Sequence, residues 1–285
     1  MLPTPISSIE VDGREFLVKR DDLVDPFLSG NKYRKLFKLL KTPSCTIKRV
    51  VSYGGTQSNA MLSIAKICHD KKWEFLYYTK PLARIQKELP MGNYRHAIAL
   101  GMRHIEIEHE LYKDYIASLA LLNDEETFVL HQGGADFSAQ EGIEELGKEI
   151  RSQAVEVKSI ATPSGTGTTA LFLARSLPEY RIYTTPLVGD ATYLEAQMNA
   201  LSSLPPNLVI LKSEKKYAFG KPYREFWQIY RKLKEQTGIE FDLLYAPLMW
   251  KMLLEQTNEK ILYIHSGGVM GNESMIERYR RKKLI

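Results

Sequence analysis

The sequence predicts an α/β protein in which mainly parallel sheets are covered by helices on both faces. Short β-type runs alternate with helical patterns, and two glycine-rich turns stand where a strand should hand over to a helix. A chain of 285 residues with 44% hydrophobic content can also bury a core large enough for two lobes. In order, the strand runs are 50–53, 75–79, 104–107, 128–130, 157–161, 182–185, 208–211 and 261–265, drawn largely from Val, Ile, Leu, Phe, Tyr and Thr. Helical patterns at 60–68 and 170–177 follow the two glycine-rich turns directly, and amphipathic patterns fill most of the other intervals. Pro178, Pro186 and the pair Pro205-Pro206 mark turns, while Gly142 and Gly147 interrupt an otherwise helical run. No repeat or low-complexity linker divides the chain, so composition alone places no domain boundary.

Composition narrows the class of partner. The net charge of +5 is modest, and the most basic segment, Arg278-Tyr-Arg-Arg-Lys-Lys283, reads as a solvated helix end favoured by the dipole rather than a nucleic-acid or membrane surface. Cys45 and Cys68 are too few for a disulfide framework and have no metal-type spacing, which points to a reducing compartment. His69, His96, His104, His109 and His131 likewise show no ligand spacing, so no metal is expected. With no cationic-then-apolar leader and no membrane-length apolar run, the expectation is a cytoplasmic protein acting on a small molecule.

Three motifs carry chemistry. Leu28-Ser-Gly-Asn-Lys-Tyr-Arg-Lys-Leu36 puts Lys32 just after a Gly-Asn turn at the start of a helical pattern, with Lys35 one turn away as its rival. A lysine amine that is partly desolvated, or held near another cation, can lose its proton and form a Schiff base with an aldehyde. Val50-Val-Ser-Tyr-Gly-Gly-Thr-Gln-Ser-Asn59 and Ile160-Ala-Thr-Pro-Ser-Gly-Thr-Gly-Thr-Thr169 each bring glycines to a helix N-terminus, where unpaired N–H groups and the dipole favour an anion. The second turn suits a phosphate, because the hydroxyls of Ser164, Thr166 and Thr168 can converge on it with several amides. The first suits a smaller carboxylate. Neither fits G-x-G-x-x-G or G-x-x-x-x-G-K-[ST], which removes the main support for a dinucleotide or nucleoside triphosphate. A cofactor with both an aldehyde and a phosphate remains, and pyridoxal 5′-phosphate has both.

Lys19-Arg-Asp-Asp22, Gly30-Asn-Lys-x-Arg-Lys-Leu36, Gly54-Gly-x-Gln-Ser-Asn59, Ser164-Gly-Thr-Gly-Thr168 and His265-Ser-Gly-Gly268 occur in this order along the chain. Together they resemble the pyridoxal-phosphate enzymes of the 1-aminocyclopropane-1-carboxylate deaminase and D-cysteine desulfhydrase family, which have the tryptophan-synthase-β-like fold (fold type II). The resemblance runs from Leu2-Pro-Thr-Pro5 to Gly268, in a chain shorter than typical members. It implies a smaller lobe inserted at 42–137, a larger lobe formed by 1–41 and 138–285, the cofactor between them, and a homodimer.

The resemblance also implies roles. Lys32 would carry the cofactor and move protons. Asn59 would bond the 3′-oxygen of the pyridine ring, and Ser58 would bind the substrate carboxylate. Gly165, Thr166, Gly167 and Thr168 would hold the phosphate, and a side chain on Gly167 would obstruct that approach. Gly133-Gly134 offers a further close backbone approach, and His265 reads as a strand-end core residue. Ser266 would face the pyridine nitrogen. A neutral hydroxyl there cannot stabilise a protonated ring as a carboxylate would, which favours quick expulsion of a β-leaving group. Where many members have Tyr-Gly-x-Pro, this chain reads Phe219-Gly-Lys-Pro222, so the phenol of cyclopropane chemistry is missing unless Tyr217 or Tyr245 supplies it. The sequence therefore favours a lyase that acts on a small amino acid such as D-cysteine and releases a keto acid and ammonia. Its alternatives are 1-aminocyclopropane-1-carboxylate deamination and a catalytically degenerate cofactor-binding protein.

Overall fold

The structure, a computed structural model, describes residues 3–28, 30–119, 121, 125–130 and 138–285. Leu2, Ser29, His131 and the Gly133-Gly134 pair lie outside the described residues. In chain order the first half comprises β1 (Ile6–Val11), β2 (Arg14–Lys19), α1 (Asn31–Lys35), α2 (Phe37–Lys41), β3 (Arg49–Tyr53), α3 (Asn59–Lys71), β4 (Glu74–Thr79), α4 (Arg84–Glu88), α5 (Gly92–Ala99), β5 (Arg103–Glu106), α6 (His109–Leu119) and β6 (Thr127–Leu130). The second half comprises α7 (Ala139–Ser152), β7 (Ser159–Ala161), α8 (Thr168–Ser176), β8 (Arg181–Thr184), α9 (Ala191–Asn199), β9 (Leu208–Ile210), α10 (Arg224–Thr237), α11 (Ala246–Gln256), β10 (Ile261–Ile264) and α12 (Asn272–Arg281).

Two sheets result, in the orders β1-β2-β10-β7-β8-β9 and β5-β4-β3-β6. Every pairing is parallel except β1 with β2. The α/β class with mainly parallel sheets is therefore as the sequence predicts, and the eight predicted strands all form. The N-terminal hairpin β1-β2 is an addition to them. Its signal is present in Asp12-Gly13, which turns the chain with positive φ at both residues (50° and 74°), as a two-residue hairpin demands.

Central strands buried on both faces need apolar residues throughout, and β10 has them. Ile261 and Tyr263 join the core under α10 and α11, whereas Leu262 and Ile264 join the core under α7 and α8. Gly142 and Gly147 do not break α7. They are points of close approach: a Cβ on Gly142 would fall 2.0 Å from the Arg34 carbonyl oxygen, and one on Gly147 2.2 Å from Ser176 Oγ. Helix α1 is thus pressed against α7 on one side, while its Tyr33 joins the apolar cluster of α3 and β3 on the other.

Below α1 lies a buried ion cluster that takes in Lys19 and Asp21 of the Lys19-Arg-Asp-Asp22 motif, while Arg20 and Asp22 pair with each other. Arg34 donates to both oxygens of Asp21 at 2.9 Å and to those of Glu149 at 2.6 and 2.9 Å, and Lys19 reaches Glu149 at 3.0 Å. Arg34 and Lys19 are both buried. Loss of one partner from such a cluster costs about 3–5 kcal/mol, so it holds α1 firmly to β2 and α7.

Candidate active site

The site is assembled at the carboxyl ends of strands, where parallel α/β sheets place ligands. Four motifs follow the ends of β2, β3, β7 and β10, and three of them meet at one point. The Gly30-Asn31 turn packs directly on the loop after β10: Asn31 N–H donates to the Ser266 carbonyl at 3.2 Å. Gly268 in that loop lies against Asn59, since a Cβ there would fall 2.4 Å from Asn59 Nδ2. Lys32, Asn59 and Ser266, all named from the sequence as candidates, thus come from elements in mutual contact.

Lys32 is half-buried, and desolvation pushes its amine down to about 8. Burial disfavours the ammonium, so roughly a tenth of this amine is neutral at pH 7. Lys35 is more deeply enclosed. Burial and then the nearby Lys32 charge hold it well below the ordinary lysine value, and its Nζ lies 3.5 Å from Thr166 Oγ1. The rival lysine therefore faces the phosphate-type turn. Lys35 is a site residue that sequence reasoning set aside, although its one-turn spacing from Lys32 was a usable signal.

The turn after β7 is only partly as expected. Thr166 and Thr168 share a hydrogen bond at 2.9 Å, and Gly167 adopts φ +76° at the N-cap of α8. Ser164, however, is withdrawn from the proposed convergence of three hydroxyls. The Thr162 carbonyl accepts the Thr184 hydroxyl at 2.8 Å, so the 2.6 Å bond between Ser164 and Thr184 takes the Ser164 proton into the core. A side chain on Gly167 would meet α9, 2.3 Å from Met198 Cγ, rather than a ligand. Gly167→Val is accordingly expected to lower the stability of cofactor-free protein by about 2–4 kcal/mol, through φ strain and overpacking. An unchanged denaturant midpoint would show that α9 yields instead.

Ser58 is the N-cap of α3 and accepts from Met61 N–H at 3.3 Å, while Tyr77 donates to the Gly55 carbonyl at 3.1 Å and stiffens the same turn. His265 is buried and stacked on Phe241, and its Nδ1 accepts from Gly267 N–H while Nε2 pairs with the Glu240 carbonyl. Both ring nitrogens serve the fold, as expected for a core histidine. Of the two tyrosines offered for the missing phenol, Tyr217 is engaged elsewhere, donating to Glu225 at 2.8 Å. Tyr245 stands beside the phosphate-type turn: a Cβ on Gly165 would lie 3.6 Å from its hydroxyl, and Phe219 packs edge-on against its ring at 5.5 Å. Burial, then the charge of Asp242, raises the Tyr245 phenol, so it stays protonated.

These residues fit pyridoxal phosphate. Ser266 Oγ is buried without a hydrogen-bond partner among the described residues, and a hydroxyl in that condition calls for a ligand atom such as a ring nitrogen. Lys32 answers the aldehyde, and Lys35 with Thr166 and Thr168 answers the phosphate. Among the described residues there is no group of His, Cys, Asp and Glu able to hold a metal, and no helix long and apolar enough to cross a membrane.

No protein-family profile matches the chain. It is 25% identical over 307 residues to a Thermotoga maritima protein with a provisional 1-aminocyclopropane-1-carboxylate deaminase name, covering 94% of this chain and 95% of that one. It is 24% identical over 315 residues to the mitochondrial bifunctional D-cysteine desulfhydrase/1-aminocyclopropane-1-carboxylate deaminase of Arabidopsis thaliana, covering 95% and 77%. The crystal structure of an ACC deaminase homologue superposes with a TM-score of 0.77 at 25% identity, covering all (100%) of this chain and 94% of that chain. A solved threonine deaminase, at 15% identity and a TM-score of 0.65 over 94% and 92%, shares the fold. By sequence and by fold the chain resembles the 1-aminocyclopropane-1-carboxylate deaminase and D-cysteine desulfhydrase family across nearly its whole length, with the architecture of fold type II pyridoxal-phosphate enzymes.

Proposed function

We propose that this chain is a pyridoxal-phosphate-dependent lyase that eliminates a β-substituent from a small amino acid such as D-cysteine, giving a keto acid and ammonia. The observation that supports the reading is that the turn carrying the half-buried, readily deprotonated Lys32 packs on the loop that carries the unpartnered Ser266 hydroxyl, and that this same loop lies against Asn59. When bound, the cofactor supplies an electron sink for the pair released at the substrate Cα. Lys32 would hold the aldehyde end of the cofactor, and its Nζ would take the substrate Cα proton. Ser58 and the free N–H groups of the first turn of α3 hold the substrate carboxylate. Asn59 orients the ring through its 3′-oxygen. Thr166, Thr168, the backbone of Gly165 and Gly167, and the Lys35 amine would hold the phosphate, whose charge would favour protonation of that amine. Ser266 would donate to the ring nitrogen without protonating it, and substrates with a good leaving group would suit that arrangement. The proposed smaller lobe at 42–137 is supported by the four strands of the second sheet, all of which fall within it.

Opening of 1-aminocyclopropane-1-carboxylate is the second reading, favoured by the place of Tyr245 beside Gly165 and by the names of the relatives. A buried phenol that keeps its proton is a poor nucleophile, which ranks this reading behind elimination. With D-cysteine or β-chloro-D-alanine, pyruvate release is expected to exceed 2-oxobutyrate release from the cyclopropane substrate by at least about tenfold. Faster 2-oxobutyrate formation would reverse the order, and a protein that takes up no pyridoxal phosphate would overturn both readings.

A further inference from the structure

We propose that Asn93, on α5 and outside every motif described above, is the positioning residue that turns the Asn59 amide so that its N–H₂ end faces the cofactor ring. The inference rests on the reading above, in which Asn59 touches that ring. Asn93 is fully buried. Its Nδ2 donates to the backbone carbonyl of Gln57 at 3.0 Å and to Asn59 Oδ1 at 2.7 Å.

The orientation follows from what each group can do. A backbone carbonyl only accepts, so the atom of Asn93 that faces Gln57 must be its nitrogen. The second N–H of that nitrogen then has to find an acceptor, and Asn59 presents Oδ1 to it. Asn59 Nδ2 is thereby left on the opposite side of the amide, toward Gly268 and the loop that carries Ser266. Were the Asn59 amide reversed, two N–H₂ groups would confront each other in a buried space, at the cost of an unmade hydrogen bond. The backbone of the substrate turn at Gln57 thus fixes, through Asn93, which end of Asn59 meets the ring. A ring oxygen carrying negative charge is bound by an N–H₂ group and repelled by an amide oxygen, so the relay decides between attraction and repulsion.

The position of Asn93 is secured independently. The Gln57 side chain donates to the Met91 carbonyl at 3.1 Å, and the amide of Gly92 donates to Glu273 Oε2 on α12 at 3.1 Å. Two residues before Asn59 and two residues before Asn93 therefore clasp each other, and α12 holds the start of α5 in place.

A double-mutant cycle on the full chain tests the proposal, read by titrating pyridoxal phosphate onto the protein and by the pH dependence of the visible absorption band of the loaded protein. Asn93→Ala is expected to weaken cofactor affinity about tenfold and to shift the pH at which the band changes. In an Asn59→Ala background the same substitution is expected to shift nothing further, because the residue acts through Asn59. Asn93→Leu, closer in volume and equally unable to donate, is expected to show the same spectral shift and serves if the alanine variant does not fold. A wild-type band from either variant, or an Asn93 effect that simply adds to that of Asn59→Ala, would overturn the positioning role alone. An Asn59→Ala protein with unchanged affinity and band would overturn the reading of the site and this inference with it.

Discussion

Replacing Lys32 with alanine is expected to abolish turnover, by about 10⁴-fold or more, in a protein that still folds. The size of the effect follows from the two roles one amine holds, covalent attachment of the cofactor and transfer of the Cα proton. The folding expectation follows from position. Lys32 lies outside the Asp21, Arg34, Glu149 and Lys19 cluster that fixes α1, so its removal leaves that anchor intact. Lys35 cannot take over, because its amine lies toward Thr166. Lys35→Ala should weaken cofactor affinity while leaving the covalent link in place. Borohydride reduction and peptide mapping are expected to find the pyridoxyl group on Lys32, and recovery of it on Lys35 would sink the assignment. The pH dependence has a definite sign. Burial lowers the folded-state pKa of Lys32 from the ordinary lysine value to about 8, and only the neutral amine attacks an aldehyde. Capture of pyridoxal phosphate by cofactor-free protein should therefore speed up as pH rises from 7 through 8 and level off above it.

The difference between Lys32 and Lys35 shows where sequence reading stops. Gly30-Asn31-Lys32 marks a turn, a helix start and a lysine, all local features with local signals, and the structure keeps them. That Lys35 faces Thr166 depends on two elements 131 positions apart, and no spacing along the chain encodes it. Tyr245 is similar: the sequence offered it alongside Tyr217 without separating the two, and only tertiary packing puts the Tyr245 hydroxyl beside Gly165. Asn93 gave no local sign because its task is a hydrogen-bond relay, and an asparagine in the first turn of a helix is ordinary. The central parallel strands were legible because both their faces are buried, so β10, β7 and the middles of β3 and β4 are mostly apolar. The β1-β2 hairpin has an outer face that is exposed and polar, as in Ser8 and Glu10, and it escaped for that reason despite its Asp12-Gly13 turn. Gly142 and Gly147 misled in the opposite sense. Their lack of a side chain serves the packing of α7, where an alanine at 142 would meet the backbone of α1.

Gly30→Ala is expected to be the most damaging single methyl group that can be added near the site. Two separate costs fall on it. Gly30 has φ +59° and ψ −133°, a conformation that L side chains rarely adopt, and the strain alone is about 1–3 kcal/mol. Its Cβ would also fall 1.8 Å from the carbonyl oxygen of Ser266, 2.0 Å from the carbonyl carbon and 2.5 Å from Gly267 N. Those are backbone atoms, so no rotamer change relieves the clash. The start of α1 would have to lift from the loop after β10, breaking the bond from Asn31 N–H to Ser266 and separating Lys32 from Ser266 and Asn59. Together the terms come to roughly 3–5 kcal/mol, a fall of about 5–8 °C in the melting temperature of a chain this long, with loss of cofactor binding. Gly13→Ala is the matched control. Its φ is +74° but nothing lies within 4 Å of the added methyl, so it carries the strain without the collision and should cost only about 1–2 kcal/mol. If the two variants melt together and Gly30→Ala still binds pyridoxal phosphate normally, then the contact between the Gly30-Asn31 turn and Ser266 is not what brings the lysine to the site.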